Sequence, residues 1–292
     1  MDVRALRYSL AIARFGSFTR AAASLHVAQP ALSVAIKKLE AELGVTLFVR
    51  KAHRVEPTIE GGILLARAER IFNEMDSAIH EIADAVELRS GVVRLGMPPM
   101  FGLEYFPSVI AQFHAAYPKI SMTMIEGSAD EVGGLLDAGA IDIAMIESRR
   151  VRPQWKQVQV GREEMVLCVA PGHPLAKRKS IAGSELDGLP MALFNGTFIQ
   201  REILDKLCKR GGAKPRVVLQ SNSVPLIRRA VADGLGAATL LRSLAAGTPP
   251  LVAVSFEPRE ILRFSLCWRD ESYLSKANRA LVDFAVKLGK TK

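Results

Sequence analysis

The sequence predicts a multidomain α+β chain: a small helical unit with a two-stranded wing, one long helix, and a larger two-lobed α/β domain. Three observations carry that division. Apolar residues recur at helical spacing up to Gly44, with breaks at Gly16-Ser17 and His26-Val27-Ala28. Residues 59–89 hold no proline and no glycine after Gly61 and Gly62. From Gly91 onward short apolar strands alternate with helices, the pattern of layered α/β structure. The chain has 292 residues, 49% apolar and 24% charged, enough for two or three units that each bury a core. The boundaries fall at 1–58, 59–90 and 91–292.

The first helix runs from Val3 to Phe15, with Val3, Leu6, Leu10, Ile12 and Ala13 at helical spacing. Ser17 then caps a short helix from Phe18 to Leu25, whose alanines let another helix approach closely. Gln29-Pro30 opens the third helix, because proline costs nothing in a first turn. Leu32, Ile36, Leu39 and Leu43 form its inward stripe, which leaves Gln29, Ser33 and Lys37 outward, and Gly44 ends it. Thr46–Arg50 and Val55–Thr58 read as strands around a basic turn from Lys51 to Arg54, which makes a wing. Three helices and a wing form a winged helix-turn-helix, a shape that docks its third helix in the major groove of DNA. Residues 1–58 carry a net +5, residues 59–90 a net −4 and the remainder +8. A basic first block suits a polyanion.

The run from Phe18 through Ala21-Ala22, Leu25, Val27, Gln29-Pro30-Ala31-Leu32-Ser33, Ile36, Leu39-Glu40, Leu43-Gly44 and Leu47-Phe48 resembles the LysR-type transcription regulators. Arg54 and Thr58 through Gly61 match that family's wing and its entry into a linker helix. The resemblance implies a partner in double-stranded promoter DNA. It implies that Gln29, Pro30 and Ser33 meet base edges or nearby phosphates and that Arg54 lies near the minor groove. Lys37, Arg50 and Lys51 are expected on phosphates. Two positions depart from the family pattern. Ala28 stands where a capping Ser or Thr is common, a cap typically worth about 1 kcal/mol. Val34 stands where a basic residue is common, so one polar contact is absent or replaced by contact with a thymine methyl.

Across the linker segment, Leu64, Ala68, Ile71, Phe72, Met75, Ala78, Ile79, Ile82 and Val86 recur in steps of three and four. A helix of about 30 residues reaches about 45 Å, more than one small unit can cover. Its apolar face therefore predicts a coiled-coil homodimer, which also fits recognition of two half-sites. Further association of the larger domains into a homotetramer follows from the family likeness, as does contact with RNA polymerase.

The larger domain is expected to adopt the family's periplasmic-binding-protein-like fold. Lobes of 91–161 plus 267–292, and of 162–266, would be joined by two crossing strands around a small-molecule effector. Ligands in such folds sit where strands end and helices begin. Four segments fit: Met97-Pro98-Pro99-Met100-Phe101-Gly102, Gly127-Ser128-Ala129, Asn195-Gly196-Thr197-Phe198 and Ser221-Asn222-Ser223-Val224. Pro98, Pro99, Met100 and Phe101 line the expected cleft; Ser128, Asn195, Thr197, Ser221 and Ser223 are its polar contacts or, equally, helix caps. Gly96 through Met100, then Phe106-Pro107, resembles a subgroup that senses small carboxylates, and so does Leu266-Cys267-Trp268-Arg269 through Leu274-Ser275. Arg149 and Arg269 are possible carboxylate partners, with surface ion pairs the alternative.

Other functions lack their signatures. The histidines at 26, 53, 80, 114 and 173 form no metal or catalytic motif, and no nucleophile elbow or phosphate loop occurs, so neither an enzyme nor a cofactor is expected. Gly234-Leu235-Gly236 precedes a strand, where tight packing explains it better than a nucleotide does. A transport solute-binding protein shares the two-lobed fold but has no use for a wing. No export signal or 18-residue apolar run is present, and Cys168, Cys208 and Cys267 are scattered, which together predict a cytoplasmic chain with free thiols and no membrane contact.

Overall fold

The computed structural model describes residues 1–51, 54–85, 91–104 and 106–289. They form two compact units, Met1–Ile79 with Ala138–Ala140, and His80–Asp137 with Ile141–Lys292.

In the first unit, local chemistry sets each helix boundary. Helix α1 (Val3–Phe15) starts on Asp2, whose carboxylate accepts the Arg4 N–H at 2.9 Å, and stops on left-handed Gly16. Helix α2 (Phe18–Ser24) starts on Ser17, whose hydroxyl accepts the Arg20 N–H. Helix α3 (Gln29–Leu43) starts after Ala28 with no side-chain cap and stops on Gly44 at φ 71°. Leu32, Ile36 and Leu39 are buried against Ile12, Ala21, Ala22, Leu47 and Phe48. Leu43, expected on the same stripe, is 41% exposed. Its angle around the helix is right, but the last turn overshoots the core that short α2 provides.

Strands β1 (Phe48–Lys51) and β2 (Arg54–Pro57) pair antiparallel, with Phe48 opposite Pro57. Ala52 and His53 of the expected turn lie outside the described residues. Thr58 joins the wing to the next helix: its hydroxyl donates to the Thr46 carbonyl at 2.7 Å and accepts the Gly61 N–H at 2.9 Å. A Cβ on Gly61 would stand 2.1 Å from the Leu47 carbonyl oxygen, so only glycine fits there.

Helix α4 (Ile59–Ala85) is unbroken; its expected continuation to Arg89, Val86 and the break at Ser90 lie outside the described residues. The apolar stripe divides between two faces. Leu64 and Leu65 pack on the first unit's core, Ala68 is buried, and the Phe72 ring lies 5.3 Å beneath the Arg7 guanidinium. Ile63, Ile71, Met75, Ile79 and Ile82 are exposed.

The second unit opens with β3 (Gly91–Met97), α5 (Pro99–Glu104) and α6 (Phe106–Ala116). It continues through β4 (Ile120–Glu126), α7 (Ala129–Asp137), β5 (Ile143–Glu147), β6 (Trp155–Val169) and β7 (Ser180–Ala182). Then come β8 (Pro190–Leu193), α8 (Ile199–Gly211), β9 (Arg216–Gln220), α9 (Val224–Ala232), β10 (Ala238–Leu241), β11 (Val252–Arg269) and α10 (Lys276–Gly289). The main sheet has the order β10-β6-β11-β5-β3-β4, with β7 added beside β11. Strands β3, β4 and β5 are parallel, whereas β6 and β11 are antiparallel partners that run through both lobes. Their register slips between Phe264 and Ser265, opposite Gly161 and Gln159. Strands β8 and β9 form a separate parallel pair.

Burial on both faces explains why the sheet residues read as nearly continuous apolar runs. Ile143 and Met145 of β5 enter one core with Val93, Leu95, Phe264 and Leu266, while Ala144 and Ile146 enter another with Val132, Trp155 and Cys267. Both crossing strands are longer than the expected Glu163–Ala170 and Phe264–Trp268, because polar stretches such as Lys156–Gln159 and Glu257–Arg259 hid them. Helix α5 falls in the segment expected to be loop: Pro99 occupies its first turn, where proline is favoured.

Candidate nucleic-acid interface and ligand cleft

On the first unit, the outward side of α3 carries Gln29, Ser33 and Lys37 as one row at steps of four. Lys37 is exposed; Gln29 and Ser33 are half-buried and joined, the Gln29 amide donating to the Ser33 hydroxyl at 2.8 Å. That bond uses one amide N–H and leaves the other N–H, the amide carbonyl and the serine proton for another partner. Pro30 and Val34 lie beside this row, and Val34 is 65% exposed. The absent cap at Ala28 leaves the first-turn N–H groups of α3 without a side-chain acceptor from that residue.

The wing's charges differ in their engagement. Arg50 is exposed on β1. The Lys51 ammonium pairs with Glu56 at 3.0 Å, which offsets part of its attraction for phosphate. Arg54 lies over Gly16, where an added Cβ would stand 2.8 Å from its Nε, and the Val55 N–H donates to the Gly16 carbonyl at 2.9 Å. The wing is thereby tied to the turn between α1 and α2.

In the second unit the expected effector residues fall into separate groups. Met100 and Phe101 are buried and line a cleft of about 680 Å³, together with Met145, Leu241, Phe264 and Val286. The Phe101 and Phe264 rings meet edge to face at 4.3 Å. Pro98 is buried and Pro99 half-buried at the start of α5. Ser128 and Glu131 form a reciprocal cap on α7, with the Ser128 N–H donating to the Glu131 carboxylate at 2.7 Å. That bond holds the Glu131 carboxyl below its ordinary range.

Asn195 and Ser221 follow the paired strands β8 and β9, where the Ser221 N–H donates to the Leu193 carbonyl at 3.0 Å. There the Asn195 backbone N–H donates to the Asn222 side-chain Oδ1 at 3.2 Å, and the Gln220 side-chain amide donates to the Asn195 Oδ1 at 3.1 Å. Ser221 accepts the Ser223 N–H at 3.1 Å, and Ser223 caps α9. Thr197 is exposed. Arg149 is bound to Glu147 at 2.8 Å and Arg269 is half-buried.

The cleft also draws on residues the sequence reading missed: Gln159, Val160, Gly161, Arg162, Glu163 and Ser243. The Ser243 N–H donates to the Glu163 carboxylate at 3.0 Å, while Arg162 has no ion-pair partner among the described residues. Beside them Arg242 bonds Glu164 at 2.8 Å and Ser255 at 2.7 Å. Burial raises the Glu164 pKa, but the hydrogen bonds from Arg242 and Ser255 and the charges of Arg242 and Arg259 outweigh it, and the carboxyl titrates below its ordinary value.

All three thiols are buried and free. Burial pushes Cys168 and Cys267 up to about 12, and burial followed by the Asp205 charge also raises Cys208. Among the described residues no helix is long and apolar enough to cross a membrane.

Comparison with known proteins agrees with this layout. The family described as bacterial regulatory helix-turn-helix protein, lysR family, matches residues 3–62, and the LysR substrate binding domain matches residues 87–289. The uncharacterized HTH-type transcriptional regulator YwbI of Bacillus subtilis is 31% identical over 97% of this chain and 95% of its own length. A hydrogen peroxide-inducible genes activator of Dickeya chrysanthemi is 31% identical over 92% of this chain and 84% of its own. Among solved structures, a full-length OxyR variant from Pseudomonas aeruginosa superposes with a TM-score of 0.75 at 26% identity, covering 98% of this chain and 94% of that one. With a helix-turn-helix match on the unit that carries Gln29, Ser33 and Lys37, and a ligand-domain match on the two-lobed unit, the chain belongs to the LysR family of DNA-binding transcription regulators, which are not enzymes.

Proposed function

We propose that this regulator reads promoter DNA through Gln29, Pro30 and Ser33 in the major groove, with Arg54 at the minor groove and Lys37, Arg50 and Lys51 on phosphates. The observation that carries the reading is the outward polar row on α3, set opposite the buried Leu32, Ile36 and Leu39. Two chains pair through α4, two pairs form a tetramer, and the bound assembly contacts RNA polymerase in the cytoplasm. A glutamine that spans an adenine edge is worth about 1–3 kcal/mol, so Gln29→Ala should weaken specific binding about ten- to a hundredfold. A gel shift with a duplex selected from a random pool checks this. Indifference of the wild-type chain to every duplex at low salt would end the proposal.

The effector in this reading is a small carboxylate held between the lobes. Support comes from the cleft, whose apolar floor takes a short carbon skeleton and whose wall includes Arg162. The Asn195, Thr197, Ser221 and Ser223 loops and Pro98 and Pro99 at the start of α5 are the remaining candidate contacts. A peroxide response through a thiol, suggested by the names of several relatives, is not favoured. It requires an accessible thiolate, and these cysteines are buried with raised pKa values. A panel of small carboxylates should contain one that raises the melting temperature of the full chain, an increase that Arg162→Gln removes. If neutral aromatics alone bind, or the variant responds like wild type, the carboxylate reading is wrong.

A further inference from the structure

The outward side of α3 holds two parallel rows at steps of four. Gln29, Ser33 and Lys37 form the polar one; Pro30 and Val34 form its apolar neighbour. Val34 is 65% exposed while Leu32 and Ile36, two positions to either side, are buried. A branched apolar side chain in the middle of a groove-facing surface does nothing for the fold. It cannot donate to guanine or accept from cytosine. What it offers is a dry surface that matches one feature of the major groove, the C5-methyl of thymine.

We infer that Val34 is a specificity-determining residue that selects a thymine in each half-site by apolar contact with its methyl group. This rests on the reading of α3 as the groove-entering helix. Gln29 stands on the adjacent row five residues earlier, and an amide can bond both N6 and N7 of adenine. The two rows together favour a half-site in which an adenine and a thymine lie at neighbouring steps. Val34 is stiff at χ1, so its methyl groups are held in place before binding and little rotamer freedom is lost on contact.

The test uses the full-length chain and a duplex selected from a random pool. Each thymine is replaced in turn by uracil, which keeps every hydrogen bond and removes only the methyl. Wild type should lose about fourfold affinity at one thymine in each half-site, as expected for a buried methyl-sized group, and about fifteenfold when both are replaced. Val34→Ala should bind the thymine and uracil duplexes alike, and Val34→Thr, which keeps one methyl, should retain part of the difference. Wild-type insensitivity to uracil at every position overturns the inference. So does a Val34→Ala protein that keeps the full difference at the same thymine. In both cases binding of the selected duplex itself persists, whereas a chain that enriches no duplex refutes the groove-helix reading instead.

Discussion

Replacing Met75 and Ile79 together by aspartate is expected to break the tetramer into smaller assemblies that lack the α4 pairing and to lower operator affinity about 10²–10⁴-fold, the advantage lost when two half-site contacts are no longer linked through that helix. Both residues lie on the bare face of α4, with Ile79 62% exposed in the isolated chain. Each such side chain gains about 1.5–3 kcal/mol when fully buried, so the row from Ile63 to Ile82 holds ample stabilisation for a helix pair. An aspartate within that seam would have to be desolvated without a partner. Sedimentation and a gel shift on the same samples check the expectation. A double variant that stays tetrameric at micromolar concentration would show that a surface other than α4 pairs these chains.

The second large effect is expected in the first unit's core. Leu32 is 0% exposed, and the residues around it make a small cluster with little surplus stability. Leu32→Ala should cost about 2–5 kcal/mol, enough to melt this unit near room temperature and abolish DNA binding. Leu43→Ala, on the same helix but 41% exposed, should change stability by under about 0.5 kcal/mol. Thermal unfolding followed by calorimetry separates the two outcomes, since the second unit has its own core. Equal costs for the two substitutions would mean that the packing of α3 is other than described.

Those contrasting leucines mark how far the sequence could be read. Helix boundaries in the first unit were legible because each has local chemistry: Asp2, Ser17, Gly16 and Gly44 cap or stop a helix without tertiary help. Periodicity alone placed Leu43 inward, because spacing reports angle around a helix and not how far the neighbouring layer extends. The stripe on α4 was legible as apolar but not as two faces, since Leu64 and Ile63 differ only in which one finds the core. In the second unit, Met100 and Phe101 were reached through their place after a strand. Gln159, Arg162, Glu163 and Ser243 carried no motif and meet only through the pairing of β6 with its neighbours. Gly161 was the one signal that could have pointed there, since a glycine inside a strand marks a bulge or a space kept open, and nothing stands within 4 Å of where its Cβ would be.

The paired crossing strands also decide what kind of motion an effector can drive. Only Arg162–Glu164 and Ile261–Arg263 pair with each other alone, β10 joining at Met165 and β5 at Phe264, and so narrow a stretch resists sliding, which breaks its ladder, more than torsion. The register slip opposite Gly161 adds local twist at that spot. An effector seated there, as proposed above, would act as a torque, and its signal would leave the cleft as an angle.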